Sequence, residues 1–195
     1  ALERILAKAE QTSDLVDDLL LLARSEAGVV RLDRAPIVLQ EVVQAAIGDA
    51  ELLRSRQDLT IVRRLPATSL EVLGDPQWLK RAITIGLDNS VKYSPQGGEI
   101  EVELRRSGTM AELTIRDQGL GIAADEIPRA FDRFYRGRDP RIRASRGSGL
   151  GLPIAKWIAD EHGGVIDLRS DPGHTTELVL CIPVADNVEH RNTPG

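Results

Sequence analysis

The sequence predicts a two-layer α/β (α+β) sandwich, a mixed sheet packed on about three helices, with a long amphipathic helix at its N-terminus. Three observations predict it. One helical period fills the first 27 residues, short strand-like and helix-like runs alternate from Pro36 onward, and turn or cap residues such as Gly28, Asp75-Pro76 and Ser107-Gly108 fall between runs. A chain of 195 residues with 42% apolar content has room and core enough for one ordinary domain plus an appendage.

In residues 1–27, Leu2, Ile5, Leu6, Ala9, Leu15, Val16, Leu19, Leu20, Leu22 and Ala23 recur at three- and four-residue spacing, with charges on the other faces. At 1.5 Å per residue such a helix runs about 40 Å, too long for a small domain to cover, so it is expected to pack on another chain or on a segment outside this one. Gly28 ends it, and residues 28–36 read as a linker. The main domain is expected over 37–184, and the polar tail 185–195 is expected to fray.

Within the domain the expected order is a short strand near Ile37–Leu39, a helix over 40–55, and strands near Leu59–Leu65 and Leu70–Leu73. Asp75 then caps a helix that runs from Pro76 to about Lys92. Alternating runs over Glu99–Arg105 and Ala111–Arg116 read as an antiparallel hairpin. An irregular arginine-rich stretch precedes a helix over 150–162, and strands follow at Val165–Arg169 and Thr175–Ile182.

Charged residues make up 28% of the chain, and no apolar run approaches the roughly 18 to 20 residues that span a bilayer. The net charge of −5 offers no basic field for nucleic acid, although arginines cluster between 129 and 146. The lone Cys181 rules out a disulfide framework and reads as a small buried strand residue.

Three runs carry chemistry. In Leu-Asp-Asn-Ser-Val-Lys-Tyr-Ser (87–94), Asn89 and Lys92 share a helix face; an amide oxygen suits Mg²⁺ and an ammonium suits phosphate. An exposed polar face near a helix C-terminus accounts for the same pair. Asp117 follows an apolar strand, and Gly119 and Gly121 let a flat group approach; its carboxylate can accept from an exocyclic amine such as that of adenine, or belong to an ordinary Asp-Gly turn. Gly147, Gly149 and Gly151 precede a helix and can present backbone N–H groups to phosphate. This is neither a Walker loop, because no Gly-Lys-Ser/Thr follows, nor a dinucleotide fingerprint, because no buried strand leads into it.

Together these runs resemble the catalytic and ATP-binding domain of bacterial sensor histidine kinases, in the wider group of gyrase, heat-shock chaperone and mismatch-repair ATPases. Residues 87–94 resemble the asparagine box and Asp117-Gln-Gly-Leu-Gly-Ile122 the first glycine box; Phe131-Asp-Arg-Phe-Tyr-Arg resembles the phenylalanine box and Gly147-Ser-Gly-Leu-Gly-Leu152 the second glycine box. Residues 1–27 resemble the second helix of the dimerisation hairpin.

The resemblance implies ATP and Mg²⁺ as ligands. It makes Asn89 the metal ligand and, with Lys92, a catalytic residue; Lys92 and Tyr93 would meet phosphate or ribose, and Asp117 would read adenine. Gly119, Gly121, Ile122, Arg146, Gly147, Gly149, Leu150 and Gly151 complete the implied nucleotide site. Residues 137–146 would be a mobile lid, with Arg138, Arg141, Arg143 and Arg146 as phosphate candidates, Arg146 first; Phe131 and Phe134 would anchor the lid on the core. Implied partners are a histidine-bearing dimerisation helix in the same or another chain, a second copy through a four-helix bundle, and a response regulator. The implied location is cytoplasmic, as part of an inner-membrane sensor kinase.

Two departures stand out. The family usually carries a second asparagine where this chain has Ile85, and related hydrolysing ATPases place a glutamate there; isoleucine is neither a metal ligand nor a general base. The phosphoacceptor helix is also missing, and His162, His174 and His190 lie at a helix end, in a turn and in the tail. The implied reaction is therefore transfer of the ATP γ-phosphoryl group to a histidine outside this segment. A nucleotide-binding module without transfer activity and a hydrolysing ATPase are the alternatives.

Overall fold

A computed structural model describes residues 2–54, 58–145 and 147–185. Arg146, His190 and nearly all of the expected frayed tail lie outside the described residues. The elements are α1 (Leu2–Glu26), β1 (Ala35–Val38), α2 (Leu39–Arg54), β2 (Thr60–Arg64), β3 (Glu71–Gly74) and α3 (Pro76–Tyr93). There follow β4 (Glu99–Ser107), β5 (Met110–Asp117), α4 (Pro140–Ala144), α5 (Gly151–Glu161), β6 (Val165–Asp171) and β7 (Thr175–Pro183).

Local chemistry sets the boundaries. Gly28 takes φ 64°, and the bonds from Gly28 N to Ser25 O and from Val29 N to Arg24 O close α1 with an αL cap. Asp75 caps α3 by accepting from the N–H groups of Gln77 and Trp78, with Pro76 at the first helical position. Gly108 at φ 61° turns the β4–β5 hairpin. The segment read as irregular contains a single 3₁₀ turn (Ile127–Arg129) and the short α4.

Five strands form a mixed sheet in the order β2-β4-β5-β7-β6, with β2 parallel to β4 and the other pairs antiparallel. β1 and β3 make a separate antiparallel ribbon. One sheet face carries Ile100, Val102, Leu113, Ile115, Leu178 and Leu180, all buried against α2, α3 and α5. Gly86 lets α3 approach closely, since a Cβ there would lie 2.8 Å from Leu178 Cδ2 and 2.9 Å from Ile115 Cδ1. The opposite face is charged, with ion pairs Arg64–Glu101, Arg105–Glu112 and Arg116–Glu177.

Part of α1 also packs on its own domain. Leu21 and Leu22 are buried in the core cluster and Leu15 packs against it. Asp18 pairs with Arg81 of α3 at 2.7 Å, and Glu26 pairs with Arg133. Val16, Leu19 and Leu20 nevertheless stay exposed. The helix has two apolar faces, and a period count does not separate a face that docks on its own domain from one that does not. No helix among the described residues is long and apolar enough to cross a membrane.

Candidate functional site

α3, the end of β5, the second glycine run and the arginine-rich segment enclose one cavity of about 290 Å³, near the lower end for ligand pockets. Its lining includes Asn89, Lys92, Tyr93, Asp117, Gly121, Ile122, Gly147, Gly149 and Gly151. Gly119 and Leu150 stand behind that lining: Gly119 N donates to Asp117, and Leu150, fully buried, is the N-cap of α5.

Asp117 is the last residue of β5, not the first residue after it, and its side chain is buried. Oδ2 accepts from Ser90 Oγ at 2.8 Å and Oδ1 accepts from Gly119 N at 2.9 Å. Burial raises its pKa above the ordinary carboxylate value, and these two hydrogen bonds pull the other way. A Cβ at Gly119 would lie 2.6 Å from Asp117 Oδ1, so this glycine admits the backbone close to the carboxylate. The register pairs Asp117 with Thr176 on β7, whose side chain also lines the cavity.

At the other end, Lys92 of α3 reaches the second glycine run, and Asn89 lines the same cavity. Lys92 Nζ lies 4.8 Å from the Tyr93 ring centroid, and a Cβ on Gly147 would be 2.7 Å from that ammonium. Gly147 thus leaves a cradle beside a cation, which suits a phosphate. Ile85 lines the cavity where a second amide was expected and packs on the start of α5: a Cβ on Gly151 would sit 3.2 Å from Ile85 Cγ2.

Two of the four arginines expected to meet phosphate are engaged elsewhere, as is the neighbouring Arg136. Arg138 pairs with Asp125 and Glu126, Arg141 with Asp139, and Arg136 donates to the carbonyls of Ile142 and Ser145. Phe131 packs against the core, as expected. Phe134 does not: it is 56% exposed at φ 61°, held by its N–H to Gly149 O at 3.0 Å. At Phe134 a left-handed backbone goes with an exposed ring, which the spacing of the two phenylalanines does not reveal.

Sequence reasoning missed Ser90, Thr176, Glu126 and Asp18, all of which line the cavity. Ser90 directly follows Asn89 and offered some signal. Glu126 is buried and accepts from Tyr135 Oη at 2.6 Å and Arg138 N at 2.8 Å. It and Thr176 reach the site through long-range packing only.

A mixed sheet backed by three helices, with a buried aspartate at one end of a cavity and an asparagine, a lysine and a glycine run at the other, defines a nucleotide-binding ATPase-type domain. The chain belongs to the histidine kinase-, DNA gyrase B- and HSP90-like ATPase family, whose model matches residues 74–186. It is 32% identical over 188 residues to the sensor-like histidine kinase SenX3 of Mycobacterium tuberculosis, covering 96% of this chain and 46% of that protein. The chain therefore spans about half the length of the curated relatives it matches. Among solved structures, a mycobacterial sensor histidine kinase MprB aligns with TM-score 0.68 and 33% identity over 77% of this chain and 98% of that one. The full-length kinase ShkA in complex with AMPPNP shares the fold at TM-score 0.75 and 24% identity, over 95% of this chain and 39% of that one.

Proposed function

We propose that the chain is the ATP-binding catalytic part of a two-component sensor histidine kinase, which transfers the γ-phosphoryl group of Mg-ATP to a histidine on a dimerisation hairpin. The observation that carries this reading is the pairing, in one cavity, of a buried carboxylate at Asp117 with the Lys92 ammonium over the Gly147 cradle. Asp117 accepts from the adenine exocyclic amine, with Ser90 and Gly119 fixing both of its oxygens. Lys92 neutralises phosphate charge, and the backbone at Gly147–Gly151 and the N-terminus of α5 face the remaining phosphate oxygens.

The residues fit a metal that is itself held largely by phosphate and water. Asn89 supplies one hard oxygen, and Mg²⁺ characteristically keeps several waters and takes few protein ligands. When bound, Mg²⁺ would supply charge neutralisation on the phosphates. The acceptor imidazole attacks the γ-phosphorus, the bond to the bridging β–γ oxygen breaks, and ADP leaves. Positioning and electrostatics are the contributions of this chain. The exposed α1 stripe of Val16, Leu19 and Leu20 fits a four-helix bundle with a second copy, and a response-regulator aspartate would take the phosphoryl group onward. This reading places the segment on the cytoplasmic side of a sensor kinase.

A second reading is favoured by Ile85, which replaces a polar metal-facing side chain with an apolar one: a nucleotide-binding module that transfers nothing. Incubating the chain with a histidine-bearing hairpin and ATP labelled at the γ-phosphorus separates the two. Acid-labile phosphohistidine supports the kinase reading. Saturable ATP binding without phosphohistidine supports the module.

A further inference from the structure

Arg81, Ile85 and Asn89 occupy successive turns of one face of α3, about 6 Å apart along the axis. Ile85 and Asn89 line the nucleotide cavity. Arg81 does not contribute to that lining, but its partner does: Asp18 of α1 reaches the same cavity and holds Arg81 NH2 at 2.7 Å. The pair is half-buried, with side-chain exposures of 39% for Arg81 and 23% for Asp18. Asp14 and Asp17 add negative charge beside Asp18. A cavity suited to a polyanion is thus lined on the α1 side by a carboxylate, and the Arg81 guanidinium beside it is already bound to that carboxylate.

A triphosphate entering this cavity meets two consequences. Asp18 repels its terminal phosphate, and Arg81 presents the planar donor fork that phosphate and carboxylate both accept. Two anions compete for one cation. Resting on the ATP-binding reading above, we propose that Arg81 is a positioning residue for the terminal phosphate, taken from Asp18 when ATP binds, so that the α1 contact and the γ-phosphate are mutually exclusive partners of one guanidinium. The exchange requires the terminal phosphate, which ADP lacks. ATP therefore weakens the grip of α1 on the domain and ADP leaves it in place. By linkage, loosening α1 favours ATP over ADP.

The structure contains its own reporter. Arg81 Cζ lies 5.7 Å from the ring centroid of Trp78, which meets Trp157 edge-on at 5.1 Å, and these are the only two tryptophans in the chain. Tryptophan emission and equilibrium affinity for ATP and ADP, with Mg²⁺ and without any phosphoacceptor, test the proposal on the unmodified chain, R81A and D18N. ATP should shift the emission and ADP should not. R81A should lose about tenfold in ATP affinity, the scale of one charge-assisted hydrogen bond, with ADP affinity unchanged. D18N removes the competing charge while keeping the side-chain shape, so it should move the ATP-to-ADP preference the other way even if R81A folds poorly. Equal losses for both nucleotides in R81A, or an unaltered preference in D18N, would overturn the assignment and leave ATP binding intact. Failure of the unmodified chain to bind either nucleotide would sink the ATP-binding reading and this assignment with it.

Discussion

Ser90 Oγ donates to Asp117 Oδ2 across 2.8 Å, tying the next-to-last turn of α3 to the last residue of β5 inside the protein. The bond joins the element bearing Asn89 to the residue proposed to read adenine, so the two ends of the cavity share one rigid support. Ser90→Ala leaves one carboxylate oxygen without that donor in a buried site. We expect a destabilisation of about 1–3 kcal/mol by thermal or urea denaturation, accompanied by weaker nucleotide binding.

Asp117→Asn keeps the shape and removes the charged acceptor. Loss of one charge-assisted hydrogen bond weakens ATP binding about ten- to a hundredfold, measurable by titration calorimetry. Because burial raises the Asp117 pKa, protonation begins at a higher pH than for an ordinary aspartate near 4. Affinity should fall with acidification over that raised range. Stability moves oppositely at this one group: its neutral form is relatively favoured in the fold, so the burial penalty is present above the raised pKa and relieved below it.

His162 is buried, accepting from Asp75 N at 3.0 Å through Nε2, with Nδ1 2.7 Å from Ile158 O. Burial lowers its pKa, so the neutral ring is the folded form. The stability it contributes is complete above the unfolded value of about 6.5 and is lost as pH falls below it toward the lowered folded value. Melting temperature should therefore drop between pH 7 and 5 in the unmodified chain, and His162→Gln should flatten that part of the profile while lowering stability at pH 8.

Two glycines of one run should fail differently. At Gly149, φ 74°, a Cβ would lie 2.8 Å from backbone atoms of Phe134 and Tyr135, which cannot step aside cheaply. Gly149→Ala should cost about 1–3 kcal/mol in denaturation experiments. At Gly147, φ 152°, the backbone itself disfavours a side chain, and the steric neighbour is the Lys92 ammonium, the end of a flexible side chain. Gly147→Ala should therefore lose stability through its backbone and, in addition, weaken ATP binding by displacing Lys92.

Much of this was legible from residue order. The strand and helix periods, Asp75 before Pro76, and Gly28 after α1 placed elements to within a few residues, because each depends on local backbone chemistry. The cavity residues clustered in short motifs were visible for the same reason. Thr176 was not, since only the β5–β7 register brings it opposite Asp117. Asp18 and Glu126 were hidden because each arrives from a distant element, and the exposed ring of Phe134 goes with a backbone angle that has no side-chain signature.

The bond from Phe134 N to Gly149 O joins the two feet of the arginine-rich segment, and Gly149 packs directly on the Phe134 backbone. The residues between these feet form a loop that is already closed. Reshaping them around a ligand therefore incurs no fresh loop-closure entropy, only the cost of ordering the residues that change. The tip of this segment can exchange partners such as Asp125 and Asp139 for a ligand while its anchorage to the sandwich stays fixed.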